Sequence, residues 1–282
     1  MSADLHLHTH HSDGNWTTEE LINRACELGL ETIAITDHDT TAALAEGHSY
    51  AEGKLRLIDG IEFNTTIKRA NGKTKDVHIL GYFINKDDVA IKEMIQRQQF
   101  ARRKQVEDTV AIFNGKGYEL TFDDVARQAG KGSIGRPHIC KAMMAAGIVN
   151  DASKAYRMLM NYDSEFRVER ESISPHDAIA AISHAGGISS LAHPGKDKEI
   201  EPLVAELASN GLNAIEAFHR SHTLSMVKKY QKIARKLDLL ITGGSDCHGP
   251  FEGFPGSIGT IRLTPDIVRA LESFISKNCC AV

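Results

Sequence analysis

Short runs of β-branched residues alternate with helical patterns from the N-terminus onward, and this alternation limits the possible folds more than any other feature. The first four runs that read as strands cover residues 3–9, 31–36, 55–63 and 76–83. Helices are predicted over residues 17–28, where Thr17 or Thr18 is the cap, and over 41–53. This order of elements is typical of βα units around a parallel sheet or barrel. The sequence therefore predicts an α/β protein.

A different pattern occupies the middle of the chain. Helical stretches over 87–114, 121–130, 136–146 and 151–160 follow one another, with no convincing strand between them. The alternation then resumes, with strands predicted at 188–193, 214–218 and 239–245 and helices at 175–185, 200–210, 223–237 and 265–277. The sequence thus predicts seven strands, interrupted by an inserted helical subdomain at residues 87–162.

Composition excludes several classes of protein. Hydrophobic residues make up 41% of the chain and charged residues 25%, as in globular rather than disordered or fibrous proteins. No apolar run approaches the ~18–20 residues that span a bilayer. The N-terminus lacks the basic and apolar segments of a signal peptide, so we expect a cytoplasmic enzyme. The 5 cysteines form no C-x-x-C pair, which argues against a disulfide framework or a thiolate zinc site.

The inserted segment differs in charge from the rest of the chain. Residues 92–170 hold 14 Lys and Arg against 10 Asp and Glu, whereas the whole chain has 33 against 37. Solvated helix faces account for most charges of this kind. A positive cap would nevertheless suit an anionic ligand held between the cap and metal ions.

Many of the 14 histidines, together with several acidic residues, fall at or near the ends of predicted strands. His6 and His8 are two residues apart on the first strand, so their side chains share one face. In a parallel barrel the carboxyl ends of the strands converge on one rim, where active sites of such folds are built. Nine residues are candidates for this rim: His6, His8, Asp13, His38, Glu62, His78, His193, Asp246 and His248.

This combination of histidines and carboxylates predicts a metal site. An apolar barrel interior would not tolerate so many ionisable groups without partners. Imidazole and carboxylate ligands suit divalent ions such as zinc, manganese or iron. Because each ion uses three or four protein ligands, nine candidates and a bridging carboxylate predict two or three ions.

Seven short strings carry a resemblance to a known family: DLHLH at 4–8, SDG at 12–14, TDHD at 36–39, GIE at 60–62, VHILG at 77–81, AHPG at 192–195 and GSDCH at 244–248. In combination and order they resemble the PHP (polymerase and histidinol phosphatase) family. They are most similar to its free-standing phosphoesterases, which include nucleoside 3′,5′-bisphosphate phosphatases, cyclic phosphate esterases and exonucleases that trim RNA from the 5′ end. The resemblance implies a distorted (β/α)7 TIM-like barrel, here residues 1–86 and 163–282, with the helical insertion 87–162 capping the active site.

The resemblance also implies how the ligands divide among the ions. One ion would be held by His6, His8, Glu62 and Asp246. A second would be held by Glu62, His78 and His193, and a third by Asp13, His38 and His248. Asp37 and Asp39 would orient ligands, and Asp4 would be structural. His10 and His11 are expected to be exposed polar residues.

The predicted reaction is metal-dependent hydrolysis of a phosphate ester in a small phosphorylated metabolite. A nucleoside 3′,5′-bisphosphate, a cyclic phosphate and a sugar phosphate are the expected types of substrate. Divalent ions that lie close together lower the pKa of a bridging water and clamp phosphoryl oxygens, so the attacking group would be a metal-bridging hydroxide. Glu62, Asp246 and His222 are the predicted catalytic residues.

Candidate substrate contacts are predicted at the same rim. Arg136 starts an insertion helix, where a guanidinium and free helix N–H groups both favour phosphate. The family resemblance implies that His222 contacts the ester or protonates the leaving group, a role that His219 or Arg220 could share. Lys196 stands where the bisphosphatase-like members usually have arginine, which leaves the type of phosphoester open.

Three other functions fit parts of the sequence. One is 5′-to-3′ exonuclease activity on short RNA, and another is a non-catalytic structural or regulatory domain that binds metal. Hydrolysis of an amide or a lactone on a similar metal centre is the third. Phe251 and Phe254 would form either a wall facing the base or sugar, or a hydrophobic anchor of their loop. No obligate protein partner and no membrane contact are expected.

Overall fold

In the computed structural model, which describes residues 2–69, 72, 74–195, 200–250 and 255–279, seven strands form one sheet in chain order. The strands are β1 (Ala3–Leu7), β2 (Thr32–Ile35), β3 (Arg56–Lys68), β4 (Thr74–Tyr82), β5 (Ile188–Leu191), β6 (Ala214–His219) and β7 (Leu240–Gly244). The helices are α1 (Thr18–Glu27), α2 (Leu44–Ala51), α3 (Val89–Gly115), α4 (Phe122–Ala129), α5 (Arg136–Ala145), α6 (Ala152–Met160), α7 (Pro175–His184), α8 (Ile200–Ser209), α9 (Leu224–Lys236) and α10 (Pro265–Cys279).

The two edge strands meet, so that the sheet nearly closes into a barrel. Leu7 at the end of β1 pairs in parallel with Cys247, three residues beyond the end of β7. The backbone N–H of His8 donates to the carbonyl of Cys247 at 3.0 Å. The predicted α/β barrel of seven strands is therefore confirmed.

The expectation that all strands run parallel is wrong for β4. Strand β3 does not end at residue 63 but continues to Lys68, and β4 then pairs with it antiparallel, with Thr74 opposite Lys68. Strand β5 is also antiparallel to β4, whereas the remaining neighbours are parallel. A parallel connection needs a crossover of a dozen or more residues. Only five residues separate β3 from β4, so the chain forms a hairpin.

The insertion helices α3 to α6 enclose a hydrophobic cluster that includes Val106, Phe113, Val125 and Ile139. The first turn of α3 belongs to a different cluster, because Ile91 packs with Ile61 and Ile79 of the barrel. The insertion is thus anchored in the barrel core at the start of α3. Its division from the barrel at residues 87 and 162 stays a prediction.

The predicted cap of the first helix is confirmed. Thr17 is the cap of α1, and its hydroxyl accepts from the backbone N–H of Glu20 while the Glu20 carboxylate accepts from that of Thr17. Such a capping box satisfies two backbone donors that the helix leaves unpaired. Among the described residues, no helix is both long enough and apolar enough to cross a membrane.

Candidate metal centre

The predicted ligands converge on the carboxylate of Glu62, which is fully buried in the middle of β3. A ring nitrogen of each of five histidines lies within 3.3 Å of a Glu62 oxygen. The distances are 3.2 Å for His6, 3.3 Å for His8, 3.0 Å for His38, 2.9 Å for His78 and 3.0 Å for His193. Both carboxylate oxygens take part, so Glu62 is placed to bridge two ions.

Two further carboxylates complete the cluster. Asp246 Oδ1 lies 3.3 Å from His8 Nε2 and 3.6 Å from His248 Nδ1. Asp13 Oδ1 lies 3.2 Å from His248 Nε2 on the opposite side of that ring. The structure therefore brings all nine predicted ligands together.

Within the described residues, four groups of these side chains have ligand atoms that all lie within 4.8 Å of one another. They are His8 with Asp13, His38 and His248; His6 with Glu62 and His193; His6 with His8 and Asp246; and His38 with Glu62 and His78. Glu62 belongs to two of the groups, as expected of a bridging ligand. The predicted division among ions put His78 and His193 together, whereas the groups separate them, and that division stays a prediction.

The donor atoms themselves fit divalent ions. Both ring nitrogens of His8, Nδ1 of His38 and Oδ1 of Asp13 are buried and make no hydrogen bond of good geometry, although all but His8 Nδ1 lie 3.0–3.3 Å from another predicted ligand. A buried polar atom left without a partner costs about 1–3 kcal/mol. Coordination of cations would satisfy one nitrogen of each ring and the Asp13 oxygen, and imidazole nitrogen with carboxylate oxygen is the donor set of zinc, manganese and iron sites.

The electrostatics of the cluster also favour cations. Burial alone would raise the pKa of Glu62, but the imidazoles of His38, His6 and His78 hold that pKa well below its ordinary value. Burial likewise opposes the charged form of His248, yet Asp13 and Asp246 outweigh it and raise the pKa of His248 to about 10. The carboxylates therefore attract positive charge to the space between them, and His248 would lose its proton on binding a metal ion.

One buried carboxylate of the site was not predicted. Glu216 lies in β6 and accepts hydrogen bonds from His6 Nδ1 at 2.9 Å and from the backbone N–H of His193 at 2.6 Å. The first bond turns Nε2 of His6 toward Glu62, as partners behind metal-ligating histidines do. An acidic residue inside the apolar run AIEAF was the sequence signal that could have revealed it.

Glu216→Gln should weaken metal binding and lower kcat by about 10–100-fold, the range for partners that orient a metal-ligating histidine. Glutamine keeps the size of the side chain but presents an amide, which cannot accept from both donors with the strength of a carboxylate. Metal titration and initial rates measure the effect. Glu201→Gln, at an exposed position of α8, is the control, and equal metal affinity in both variants would contradict the role of Glu216.

Asp37 and Asp4 each accept hydrogen bonds from backbone groups of neighbouring loops. Asp37 accepts from the backbone N–H of Thr9 at 2.7 Å and from the Ser12 hydroxyl at 2.5 Å, so it holds the loop that carries Asp13. Asp4 accepts from the backbone N–H groups of Ser245 and Gly259, both at 2.9 Å.

Asp39 joins the insertion to the metal centre. Arg102 and Gln98 of α3 donate to its carboxylate at 2.6 Å and 3.0 Å. Arg102 also donates to Asn64 Oδ1 at 2.8 Å, and Asn64 Nδ2 donates to His78 Nε2 at 3.0 Å. An unbroken chain of hydrogen bonds thus runs from α3 to a predicted metal ligand.

Arg136 lies at the start of α5, where its guanidinium contacts Asp76 at 3.3 Å. It lines a cleft of about 130 Å³ that also includes Asp13, His38 and His78. Two arginines that the sequence did not single out, Arg102 and Arg170, line the same cleft. We name this space the arginine cleft.

Arg170 is buried close to other positive charge. Burial, together with the nearby charge of Arg102, lowers its pKa to about 9, although Asp39 opposes the shift. Arg170 Nε is buried without a hydrogen-bond partner. An anion in the arginine cleft would relieve both the repulsion and the unpaired donor.

The other predicted substrate contacts follow β6. His219 is buried, and its Nε2 lies 3.4 Å from Asp246 Oδ2, while Arg220 lies 3.7 Å from the same oxygen. His222 is one step further away, and it bonds to the backbone through Gly195 N–H at 3.3 Å and Ala217 C=O at 3.0 Å.

The remaining residues that the sequence singled out have different outcomes. Lys196, Phe251 and Phe254 fall outside the described residues. His10 is exposed as expected, but His11 is partly buried and its Nε2 lies 2.8 Å from Glu46.

Comparison with known proteins accounts for this arrangement. Residues 4–168 match the family model described as "PHP domain". The chain belongs to the PHP domain family. The seven-stranded barrel and its cluster of histidines and carboxylates are therefore those of a PHP domain.

Among relatives of this PHP protein, a phosphoribosyl 1,2-cyclic phosphate 1,2-diphosphodiesterase of Eggerthella lenta is 32% identical, with 90% of this chain and 97% of the relative covered. A 3′,5′-nucleoside bisphosphate phosphatase of Chromobacterium violaceum is 29% identical, with 96% and 95% covered. The 5′-3′ exoribonuclease Rnm of Escherichia coli is 29% identical, with 88% and 85% covered.

Solved structures give the same fold. The structure of an amidohydrolase from Chromobacterium violaceum, with bound sulfate and no metal, superposes with a TM-score of 0.85 at 28% sequence identity. The superposition covers 97% of this chain and 96% of that one.

Proposed function

We propose that this PHP protein is a metal-dependent phosphoric ester hydrolase that acts on a small phosphorylated metabolite. The observation that carries the proposal is the convergence of Glu62 with the eight other predicted metal ligands, directly beside the arginine cleft. Such a site joins cations at one end to guanidinium groups at the other. Both are suited to the negative charge of a phosphoryl group.

Two or three divalent ions, Mn²⁺, Fe²⁺ or Zn²⁺, would be held by the nine residues of the cluster. When bound, such ions lower the pKa of coordinated water to near neutral and stabilise charge on phosphoryl oxygens. Glu62, placed between the histidines, would keep the ions close together. Asp246 would bind the same ion as His6 and His8.

The chain itself supplies groups that bind the ester. Arg136 and Arg170 would bind phosphoryl oxygens, since their guanidinium groups offer the planar pairs of donors that fit such oxygens. Lys196 stays a predicted contact beyond His193.

His219 is better placed than His222 to hold a proton for the leaving oxygen. The backbone N–H of Ser221 donates to His219 Nδ1 at 3.2 Å, so the proton of a neutral ring is on Nε2, beside Asp246. In His222 the backbone N–H of Gly195 donates to Nε2, so its proton is on Nδ1 and points to the Ala217 carbonyl. The tautomers follow from these partners.

A panel of phosphate esters tests the proposal. The metal-loaded protein should release phosphate or open a cyclic phosphate in at least one class among nucleoside 3′,5′-bisphosphates, cyclic phosphates and sugar phosphates. Removal of the ions with a chelator should abolish the activity, and added Mn²⁺ should restore it. Faster cleavage of matched amides or lactones would refute the proposal. Bound metal with no turnover of any ester would favour a non-catalytic domain.

Exonuclease activity on short RNA is a second candidate, which two observations favour. Residues 92–170 carry more basic than acidic side chains, and the Escherichia coli relative is named as an exoribonuclease. Contacts to several backbone phosphates make binding steeply dependent on salt. Activity on a short 5′-phosphorylated RNA should then fall more steeply with salt than activity on a mononucleotide, and parallel salt profiles would exclude this candidate.

A further inference from the structure

An apolar cavity of about 250 Å³ shares Asp13 with the arginine cleft but is not lined by His38 or His78, two predicted metal ligands of that cleft. One wall consists of side chains from the insertion, chiefly Pro137 and Met144 of α5 and Tyr156 of α6. The other wall belongs to the loops that follow β1 and β7. The cavity is thus formed only where the insertion meets the barrel.

The cavity adjoins both the metal centre and the arginine cleft. Asp13 and His248, which belong to one of the ligand groups, lie at its edge. Asp13, Pro137 and Tyr156 also line the arginine cleft. A phosphoester held at the cluster therefore has charged surroundings on one side and apolar surroundings on the other.

The lining has the chemistry of a site for a flat aromatic group. Tyr156 is 50% exposed and lines the cavity, so its ring is accessible to a ligand there. Aromatic rings and thioether sulfur both contact aromatic ligands favourably. Lys141 lies at the rim, where its ammonium donates to Asn15 Oδ1 at 2.8 Å and is available as a donor to a ring nitrogen or carbonyl.

We propose that this cavity binds the base of a nucleotide, with the ring stacked on Tyr156. The proposal rests on the proposed function, because the phosphate of the same molecule would lie at the metal centre. It narrows the substrate class to phosphoesters that carry a base, in preference to sugar phosphates without one. An alkyl group would fill the same space but would gain nothing from the tyrosine ring beyond its buried area.

Binding of two matched analogues tests the proposal without turnover. The probes are the 5′-methylenephosphonate analogues of adenosine monophosphate and of ribose 5-phosphate, whose C–P bonds are not hydrolysed, titrated calorimetrically into the metal-loaded protein. Wild type should bind the adenosine analogue at least about tenfold more tightly. Tyr156→Ala should remove most of this preference, because stacking of a base on an aromatic side chain contributes about tenfold or more in affinity.

Three further variants separate stacking from loss of structure. Tyr156→Phe keeps the ring and should bind both analogues as wild type does. Ala152→Trp places a large ring at the lining and should weaken only the adenosine analogue. Phe100→Ala removes an aromatic side chain that is 73% exposed on α3, outside the cavity, and should change neither affinity.

Two results would overturn the proposal. One is equal binding of the two analogues by wild type, and the other is an equal loss of affinity for both analogues in Tyr156→Ala. Failure of the proposed function is read separately, from the phosphate ester panel. If the protein preferred the adenosine analogue but hydrolysed no ester, base binding in the cavity would be supported and the proposed activity would be refuted.

Discussion

Glu62→Gln should reduce turnover by about 10³-fold or more and should lower the metal content of the purified protein. Five histidine nitrogens lie within 3.3 Å of this carboxylate, so its charge supports more ligands than any other side chain of the cluster. Glutamine has nearly the same shape but no charge, and one of its two polar atoms is a donor that faces imidazole nitrogens. Loss of an outer partner already costs roughly 10–100-fold, and a bridging ligand should cost more.

Initial rates on the best ester of the panel and elemental analysis measure the two effects. Glu206→Gln is the matched control, because Glu206 also contacts a histidine, His176, but belongs to none of the candidate metal groups among the described residues. That variant should keep its rate and metal content within about twofold. A Glu62→Gln protein with full metal content and a rate near that of wild type would exclude Glu62 as a bridging ligand.

The parts of the fold that depend on local pattern were predictable from the sequence. Each of the seven strands is a short apolar or β-branched run, and each observed strand overlaps its prediction. The direction of β4 was not predictable in the same way. Residues 64–68 looked like a connection, although Thr65, Thr66 and Ile67 are β-branched, and only their inclusion in β3 makes the turn too short for a parallel crossover.

The cluster of predicted metal ligands could be found from the sequence because most of its members fall in compact strings at the ends of strands, although Glu62 and His78 lie inside β3 and β4. The residues that contact these ligands and their neighbours from the surrounding structure were not predictable, because they are far from them in the sequence. Glu216 lies 210 residues from His6, and Arg102 lies 63 residues from Asp39. No periodicity or motif connects such pairs, so only the three-dimensional structure shows that they meet.

The hairpin also changes how His78 reaches the site. In a parallel strand His78 would lie well before the carboxyl end and far from the rim. Because β4 runs in the opposite direction, its first half is at the rim, and His78 pairs with Asn64 of β3. The antiparallel direction of β4 therefore explains how His78, a predicted ligand, reaches the rim, which it would not reach from a parallel strand.

Gly244→Ala should lower the free energy of unfolding by about 3 kcal/mol, near the upper end of the range for overpacking. Gly244 ends β7 against β1, where an added Cβ would overlap the Cβ and backbone N of His6 and lie 2.8 Å from its Cα. Backbone atoms cannot move aside as a flexible side chain can. The methyl group would therefore push β1 away from β7 at the point where the barrel nearly closes.

The same displacement should reach the metal centre, because His6 carries a ligand nitrogen 3.2 Å from Glu62. We expect Gly244→Ala to melt about 6–12 °C below wild type, at about 2–4 °C for each kcal/mol in a chain of this size or slightly smaller. It should also bind metal more weakly than wild type. Thermal melts with and without chelator, together with metal titration, measure both effects.

Gly115→Ala is the matched control for this substitution. Gly115 is the last residue of α3, and an added Cβ there would meet no atom within 4 Å. The alanine variant should therefore be as stable as wild type, or more stable by up to about 1 kcal/mol, because alanine favours the helix. If Gly244→Ala matched this control in melting temperature and metal affinity, the position of His6 would not depend on its close contact with β7. A drop confined to Gly244→Ala would show that the barrel's closure and the geometry of its metal centre depend on the same contact.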